Sequence, residues 1–551
     1  MRKHNRFLPM LLAALTAAGV FAGCGDNGAS SQTSSDPSSS KTDSSGESSA
    51  AGAAMEGNLY LEGLPIVKEQ ETYKIAVMRH TLCKADSFND KIAWQQAEAD
   101  TNIHIEWIEV VSGTEAEKVP IMLASDLPDA FLNLLNESHV AKNMSQLVVL
   151  NDLLEKYAPN VIEQYATVPN MDEMMKFPDG NQYTLAAGLQ VSHDDDGDSM
   201  FFMNMKWLEK VGKEVPTTTD ELYDVLKAFK DGDPNGNGQA DEIPLELCEN
   251  NWAAGIMKFA GPWGITGNYK IVDGKFTPTV NTQAYRDFID YFHKLAVEGL
   301  IDVEGFSQTN QQFYAKLKEY VCGAYGGWTP QSNFDEETAK EYDMVLPLTA
   351  PGYEGQTVKT GEWSRFRGNR TGFAITTACK SPETLLRWWN YLIDDTKRKW
   401  TIAYGEEGKC WEMDESGQVW SLFPEATADY TRENMKYTEG SYGCQPLILE
   451  SEMEKNDAEL RPTSVYRYNW SEACKPYYEK EVLPMRFVSP EKTNEKAMIE
   501  TDLNDYIKNF LATSVINGIT DESWNAHLQQ LEALGINEWV QWYQDFIDGK
   551  F

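Results

Sequence analysis

Residues 73–132 alternate between two apolar periods, and that alternation restricts the fold more than any other feature of the chain. Residues 73–78 read as a strand, 90–99 as a helix, 103–108 as a second strand and 115–124 as a second helix. A turn at Asp126-Leu127-Pro128-Asp129 then runs into a third short strand ending at Leu132. Strands separated by helices pair in parallel through crossovers, which gives an α/β layer and excludes an all-β or all-helical fold for this region. The pattern restarts at residues 201–204, with a helix opening at Met205, another over 283–297 and a strand over 321–325. No internal repeat is present. A chain of 551 residues exceeds what one core usually serves, so two α/β lobes with a cleft between them are expected. Ligands of such sheets lie in crevices beyond the strand C-termini. The loop over residues 79–89, with Asn89 and with Asp90 opening the helix, falls there.

The N-terminus is a separate module. Arg2, Lys3 and Arg6 precede an apolar run over residues 7–21, which is too short to span a bilayer and reads as a signal segment. It ends in Phe21-Ala22-Gly23-Cys24, which resembles a bacterial lipobox with Cys24 as the lipidated residue. Residues 25–55 are mostly Ser, Thr, Gly, Ala and Asp. That composition cannot bury enough surface to offset ordering entropy, so a flexible tether is expected. No later apolar run reaches 18 residues, which leaves the lipid as the expected anchor.

The chain carries 48 Lys and Arg against 85 Asp and Glu, a formal charge of −37, and three of those basic groups lie in the signal segment. A body this acidic repels phosphate backbones and anionic headgroups, so nucleic-acid binding is not expected. Beyond Cys24 the seven cysteines are dispersed without a CxxC pair, against a disulfide framework or zinc site. A bridge such as Cys410 to Cys444 stays open, but most are read as small buried apolar residues. The seven His show no HExxH or HxH spacing.

A long block runs from Asn204-Met205-Lys206-Trp207-Leu208 to Gly212, through Pro216-Thr217-Thr218 and on to Asp233-Pro234-Asn235-Gly236-Asn237-Gly238 and Asp241-Glu242-Ile243-Pro244. With Gly361-Glu362-Trp363, Gly372-Phe373-Ala374-Ile375, the helix over 381–391, and the segments 518–524 and 531–535, it resembles the family 1 extracellular solute-binding lipoproteins of carbohydrate ABC transporters. The likeness is greatest to the Gram-positive oligosaccharide-binding type. It implies a two-lobe periplasmic-binding-protein-like α/β fold with extra C-terminal helices. It also implies a monomer on the extracellular face of the membrane, with permease subunits and a separate ATPase as partners. The expected boundaries are 1–23 signal, 24–57 lipidated Cys and tether, 58–198 with 345–400 as the N-terminal lobe, and 199–344 with 401–551 as the C-terminal lobe.

Asp233, Asn235 and Asn237 alternate oxygen donors, Gly238 permits a sharp turn, Gln239 offers a carbonyl and Asp241 follows. This is the spacing of the first nine positions of an EF-hand loop. Pro244 stands at position twelve in place of Glu, so Glu242 is the expected substitute donor. Relatives bind a structural calcium at a similar loop, and the resemblance implies Ca2+ here. The cluster 194–198 (Asp-Asp-Asp-Gly-Asp) lacks the alternation and reads as a solvated loop.

Sugars need flat apolar faces for their C–H surfaces and planar polar groups for their hydroxyls. The ligand candidates are Trp328 after Tyr325-Gly326-Gly327, Trp263 in Gly261-Pro262-Trp263-Gly264, Trp363 with Arg365, Trp252, Asn89 and Asp90. The resemblance adds Asp126, where family members often carry a carboxylate near the ligand, and supports Trp328, whose counterpart in maltose-type binding proteins stacks on sugar. Trp207, Trp388, Trp389, Trp524, Trp539 and Trp542 fall on helical periods and are read as packing residues. No GxSxG, Walker loop or marked carboxylate pair supports catalysis. The reading is therefore a non-enzymatic oligosaccharide receptor for import by two-lobe closure. A peptide-binding receptor of the same importer type and a secreted polysaccharide-degrading enzyme are the alternatives.

Overall fold

The computed structural model describes residues 54–188, 199–359, 368–413, 419–421, 438–449 and 469–551. The alternating N-terminal segment forms β1 (Glu71–Arg79), α1 (Ile92–Thr101), β2 (Ile103–Val111), α2 (Glu115–Ser125) and β3 (Ala130–Leu132). With β4 (Leu185–Ala187) and, much later, β8 (Asn369–Ile375), they make a five-stranded sheet in the order β2-β1-β3-β8-β4. β1 pairs in parallel with β2 and β3, as the crossovers require, whereas β8 runs antiparallel between β3 and β4.

The second lobe is built on β5 (Met200–Asn204), β6 (Ala324–Gly327) and β7 (Tyr342–Met344), antiparallel in the order β6-β5-β7. Parallel bridges from Ile243 to Cys322 and from Glu246 to Tyr325 add a further edge. Helix α3 (Met205–Val211) follows β5 at once because the Asn204 side chain accepts the Trp207 N–H at 3.0 Å. Helix α4 (Thr219–Asp231) starts at a capping box between Thr218 and Glu221. Helices α5 (Gln283–Val297), α9 (Pro490–Asn517), α10 (Asp521–Ala533) and α11 (Ile536–Ile547) cover the lobe, and the last three are the expected C-terminal addition.

The two largest of five apolar clusters among the described residues follow the two lobes. The first joins the sheet to α1, α7 (Pro382–Ile393) and α8 (Thr396–Tyr404), with Trp94, Trp388 and Trp389 inside. The second holds Trp207, Trp524, Trp539 and Trp542, so all six tryptophans on helical periods are buried packing residues. Core membership corrects the expected lobe boundaries. Val345, Leu348 and Ala350 pack in the second core, while Ile402, Cys444, Leu447 and Leu449 pack in the first. The physical cause is a set of bonds that ties residues 438–449 to the first lobe. Lys91, only 2% exposed, donates to the Thr438 carbonyl at 3.2 Å and to the Gly440 carbonyl. Trp94 donates to Ser441 at 2.9 Å, and the Ile448 N–H reaches the Gly188 carbonyl at 2.9 Å.

The seven cysteines among the described residues are free thiols, and all but Cys83 are buried. Among the described residues no helix is long and apolar enough to cross a membrane.

Candidate functional site

Strand direction locates the crevice. The chain leaves the first sheet at Ala187, level with Asn369 at the start of β8, and enters the second at Met200, level with Gly327 at the end of β6. Both are the ends at which the parallel strands finish. The crossings between lobes therefore join one crevice edge to the other.

On the second lobe this edge carries an aromatic pair. Trp328 follows β6, and Trp252 follows the segment that bridges Glu246 to Tyr325. Their ring centroids lie 6.0 Å apart at 55°, and Trp252 is 55% exposed. A large ring so open to water is not explained by packing. Neighbouring polar groups are held in place: the Asn251 amide donates to Asn310 at 3.0 Å and to the Tyr314 hydroxyl at 3.1 Å, and Asn250 donates to the Gln308 carbonyl at 2.8 Å. Beneath them Glu246 is fully buried. Burial pushes its carboxyl up to about 8 against the opposing hydrogen bond from Gln308, and its second oxygen has no partner.

On the first lobe the corresponding edge carries His80 just beyond β1 and Asn133 just beyond β3. The His80 and Tyr442 rings meet edge to face at 5.8 Å. The Asn369 amide donates to Asn133 at 3.0 Å, which leaves the Asn133 amide nitrogen buried without a partner. His80, Tyr442, Asn133 and Asn369 were not singled out from sequence. The Asn133 signal was nonetheless there, as a lone polar residue ending an apolar strand.

The other sequence candidates are placed as follows. Trp263 is 5% exposed and packs on Phe288 and Tyr291 at 5.5 and 5.2 Å, so it belongs to the second core. Asp126 follows α2 and precedes β3, at the sheet edge opposite the crevice, and is exposed. Asp90 completes the Ser87 capping box by accepting the Ser87 N–H at 3.1 Å, and Asn89 is an exposed residue of the same turn. Trp363, Arg365, Cys24 and the cluster 194–198 lie outside the described residues.

The oxygen-rich loop leaves α4 and ends at the Ile243 bridge, on the far side of the lobe from the crevice. Asp233 accepts the N–H groups of Gly236 and Gly238 at 3.0 and 3.2 Å, and the Gln239 N–H reaches Asn237 at 2.7 Å. Asp241 takes the amides of Asn235 and Asn237 at 3.0 and 2.9 Å. Glu242 keeps a buried oxygen with no partner, and burial followed by the charges of Asp241 and Asp233 raises its carboxyl above the usual range. Among the described residues no three His, Cys, Asp or Glu side chains already converge as a metal cage. The donor set is nonetheless hard oxygen throughout, and an unpartnered Glu242 oxygen on a carboxyl raised by burial and by neighbouring acids is what a site short of positive charge produces.

Residues 84–399 match the family of bacterial extracellular solute-binding proteins, and the chain belongs to that family. It is 28% identical over 517 residues to the fructooligosaccharide ABC transporter substrate-binding protein FusA of Streptococcus pneumoniae, covering 89% of this chain and 92% of that one. It is 29% identical over 446 residues to the polygalacturonan/rhamnogalacturonan-binding protein YtcQ of Bacillus subtilis, covering 76% and 84%. The structure of FusA in complex with kestose superimposes with a TM-score of 0.75 at 27% identity, over 87% of this chain and 99% of that one. An EF-hand mutant of FusA, in complex with fructo-nystose, matches equally well at 0.75 and 26%. The expected two-lobe fold and solute-binding family are thereby established.

Proposed function

We propose that the chain is an extracellular, lipid-anchored receptor that captures an oligosaccharide and delivers it to an ABC permease. The observation that carries this reading is the aromatic pair at the crevice edge, an exposed Trp252 beside a half-buried Trp328. Two tilted rings present adjacent apolar faces suited to successive pyranose or furanose units. Asn133, with an unpartnered amide on the opposite lobe, supplies a hydroxyl-directed group. A ligand touching both edges has higher affinity for the closed form than for the open one, and that difference drives closure. The sugar-binding relatives support the cargo class. Cys24 would bear the lipid that holds the receptor at the membrane.

Asp233, Asn235, Asn237, Gln239, Asp241 and Glu242 would hold a structural Ca2+. The ion would supply the positive charge the loop lacks and fix the α4–Ile243 connection. It would stand apart from the ligand.

Thermal melting of the chain against a panel of plant, host and microbial oligosaccharides tests the reading. A micromolar ligand at millimolar concentration adds about 4 kcal/mol, a plain rise in Tm. A rise with peptides and none with sugars would overturn it.

A further inference from the structure

The second lobe holds a cavity of about 80 Å³ walled in part by the two segments that carry the aromatic pair. Its wall includes Ala253, which adjoins Trp252 in the chain, and Gly326, two residues before Trp328. The rest is mostly apolar, with Phe259 and Trp263 prominent, and Lys258, Lys359 and several hydroxyls, that of Thr219 among them, interrupt it. Packed cores rarely keep voids much larger than a water molecule, and this one lies at a crevice edge rather than deep in the core.

The chemistry of the wall decides what fits. Along the apolar part of the wall a bare sugar ring would lose the water around its hydroxyls without gaining partners, which is costly. An apolar cavity of roughly 150 Å³ takes a benzene ring, so about half that volume suits a two-carbon substituent. We propose that the cavity receives an acetyl group carried by the glycan that stacks on Trp252 and Trp328. The methyl faces Phe259 and Trp263, and the carbonyl faces the hydroxyl-bearing part of the wall. The inference rests on the receptor reading above and narrows its cargo to acetylated glycans, N- or O-linked.

Isothermal titration of the full chain with three neutral pairs tests it: cellotetraose against tetra-N-acetylchitotetraose, xylotetraose against O-acetylated xylotetraose, and a fructotetraose against its O-acetylated form. The acetylated member of at least one pair should bind roughly tenfold tighter or more, the discrimination a small apolar group commands in a fitted pocket. The pair that responds distinguishes the N-acetyl from the O-acetyl source. Val358→Phe, which fills the cavity from its partly exposed side, should abolish that preference while leaving the unacetylated sugar within about twofold. The wild-type comparison stands even if this variant folds poorly. Sugars that bind with no acetyl preference would overturn the cavity assignment and leave the receptor intact. Binding to none of the six would overturn the acetyl inference, and the wider oligosaccharide panel then judges the receptor separately.

Discussion

The backbone of Gly326 passes so close to Ala253 that a Cβ on Gly326 would sit 2.3 Å from the Ala253 carbonyl oxygen. Only a residue without a side chain lets these two segments meet, and each carries one ring of the aromatic pair. Gly326→Ala should therefore cost about 1–3 kcal/mol, the range for overpacking a closed site. It should also weaken sugar binding by spreading Trp252 from Trp328. Urea unfolding and a binding titration on the same variant check both effects.

Trp252→Ala and Trp328→Ala should each weaken sugar binding by about 2 kcal/mol, or roughly thirtyfold, as central aromatic anchors do. Because Trp252 is more than half exposed, its loss should leave the Tm nearly unchanged. A Trp252→Ala protein that binds like wild type would remove the observation on which the functional reading stands.

Glu246 ties stability to pH. Its carboxyl ionises near 4.5 in the unfolded chain and near 8 in the fold. Between those values the folded state holds the extra proton, so stability falls as pH rises, by at most about 1.4 kcal/mol per pH unit, and levels off above 8. Glu246→Gln removes the ionisation and should flatten the pH 5–8 limb of a denaturation series. A limb of unchanged slope would mean that other groups set it.

Chelation should lower the Tm of the wild-type chain if the oxygen-rich loop holds Ca2+. Ion at a hundredfold excess over its Kd contributes about 2.7 kcal/mol. Asp233→Ala should melt as the chelated protein does and no longer respond to EDTA. A wild-type Tm indifferent to both calcium and EDTA refutes the ion site.

Asn133→Ala should reduce affinity about tenfold, the worth of one well-placed hydrogen bond, if the first lobe reads a hydroxyl through this amide. Titration of the variant with the best sugar of the panel measures it.

Much of this was legible in the chain because period and packing agree. The α/β alternation forced parallel pairing of β1 with β2 and β3, and helical spacing marked Trp207, Trp388 and Trp539 as core. Trp263 is buried although its Gly-Pro-Trp-Gly setting looks like an exposed break, because a single tight turn tucks the ring against Phe288 and Tyr291. Local composition carries no information about what stands opposite. The lobe boundaries were hidden for a related reason. The attachment of residues 438–449 depends on Lys91 and Trp94, some 350 residues away, and no local pattern announces such bonds. Asn133 stands out locally as a polar residue ending an apolar strand, but which side of the sheet that end faces follows only from the sheet order.

The insertion of β8 between β3 and β4 has a consequence for how the molecule comes into being. The first lobe cannot close its sheet until residue 375 has been made, by which time the chain of the second sheet, residues 200–344, has long since emerged. The sheet of the second lobe is thus made as an excursion inside an unfinished neighbour, although its covering helices over 490–547 come last of all. β8 pairs with β4 across about 180 residues and with β3 across about 240, and such pairings slow folding through the entropy of closing so long a loop. Until β8 arrives, β3 and β4 stand at open edges.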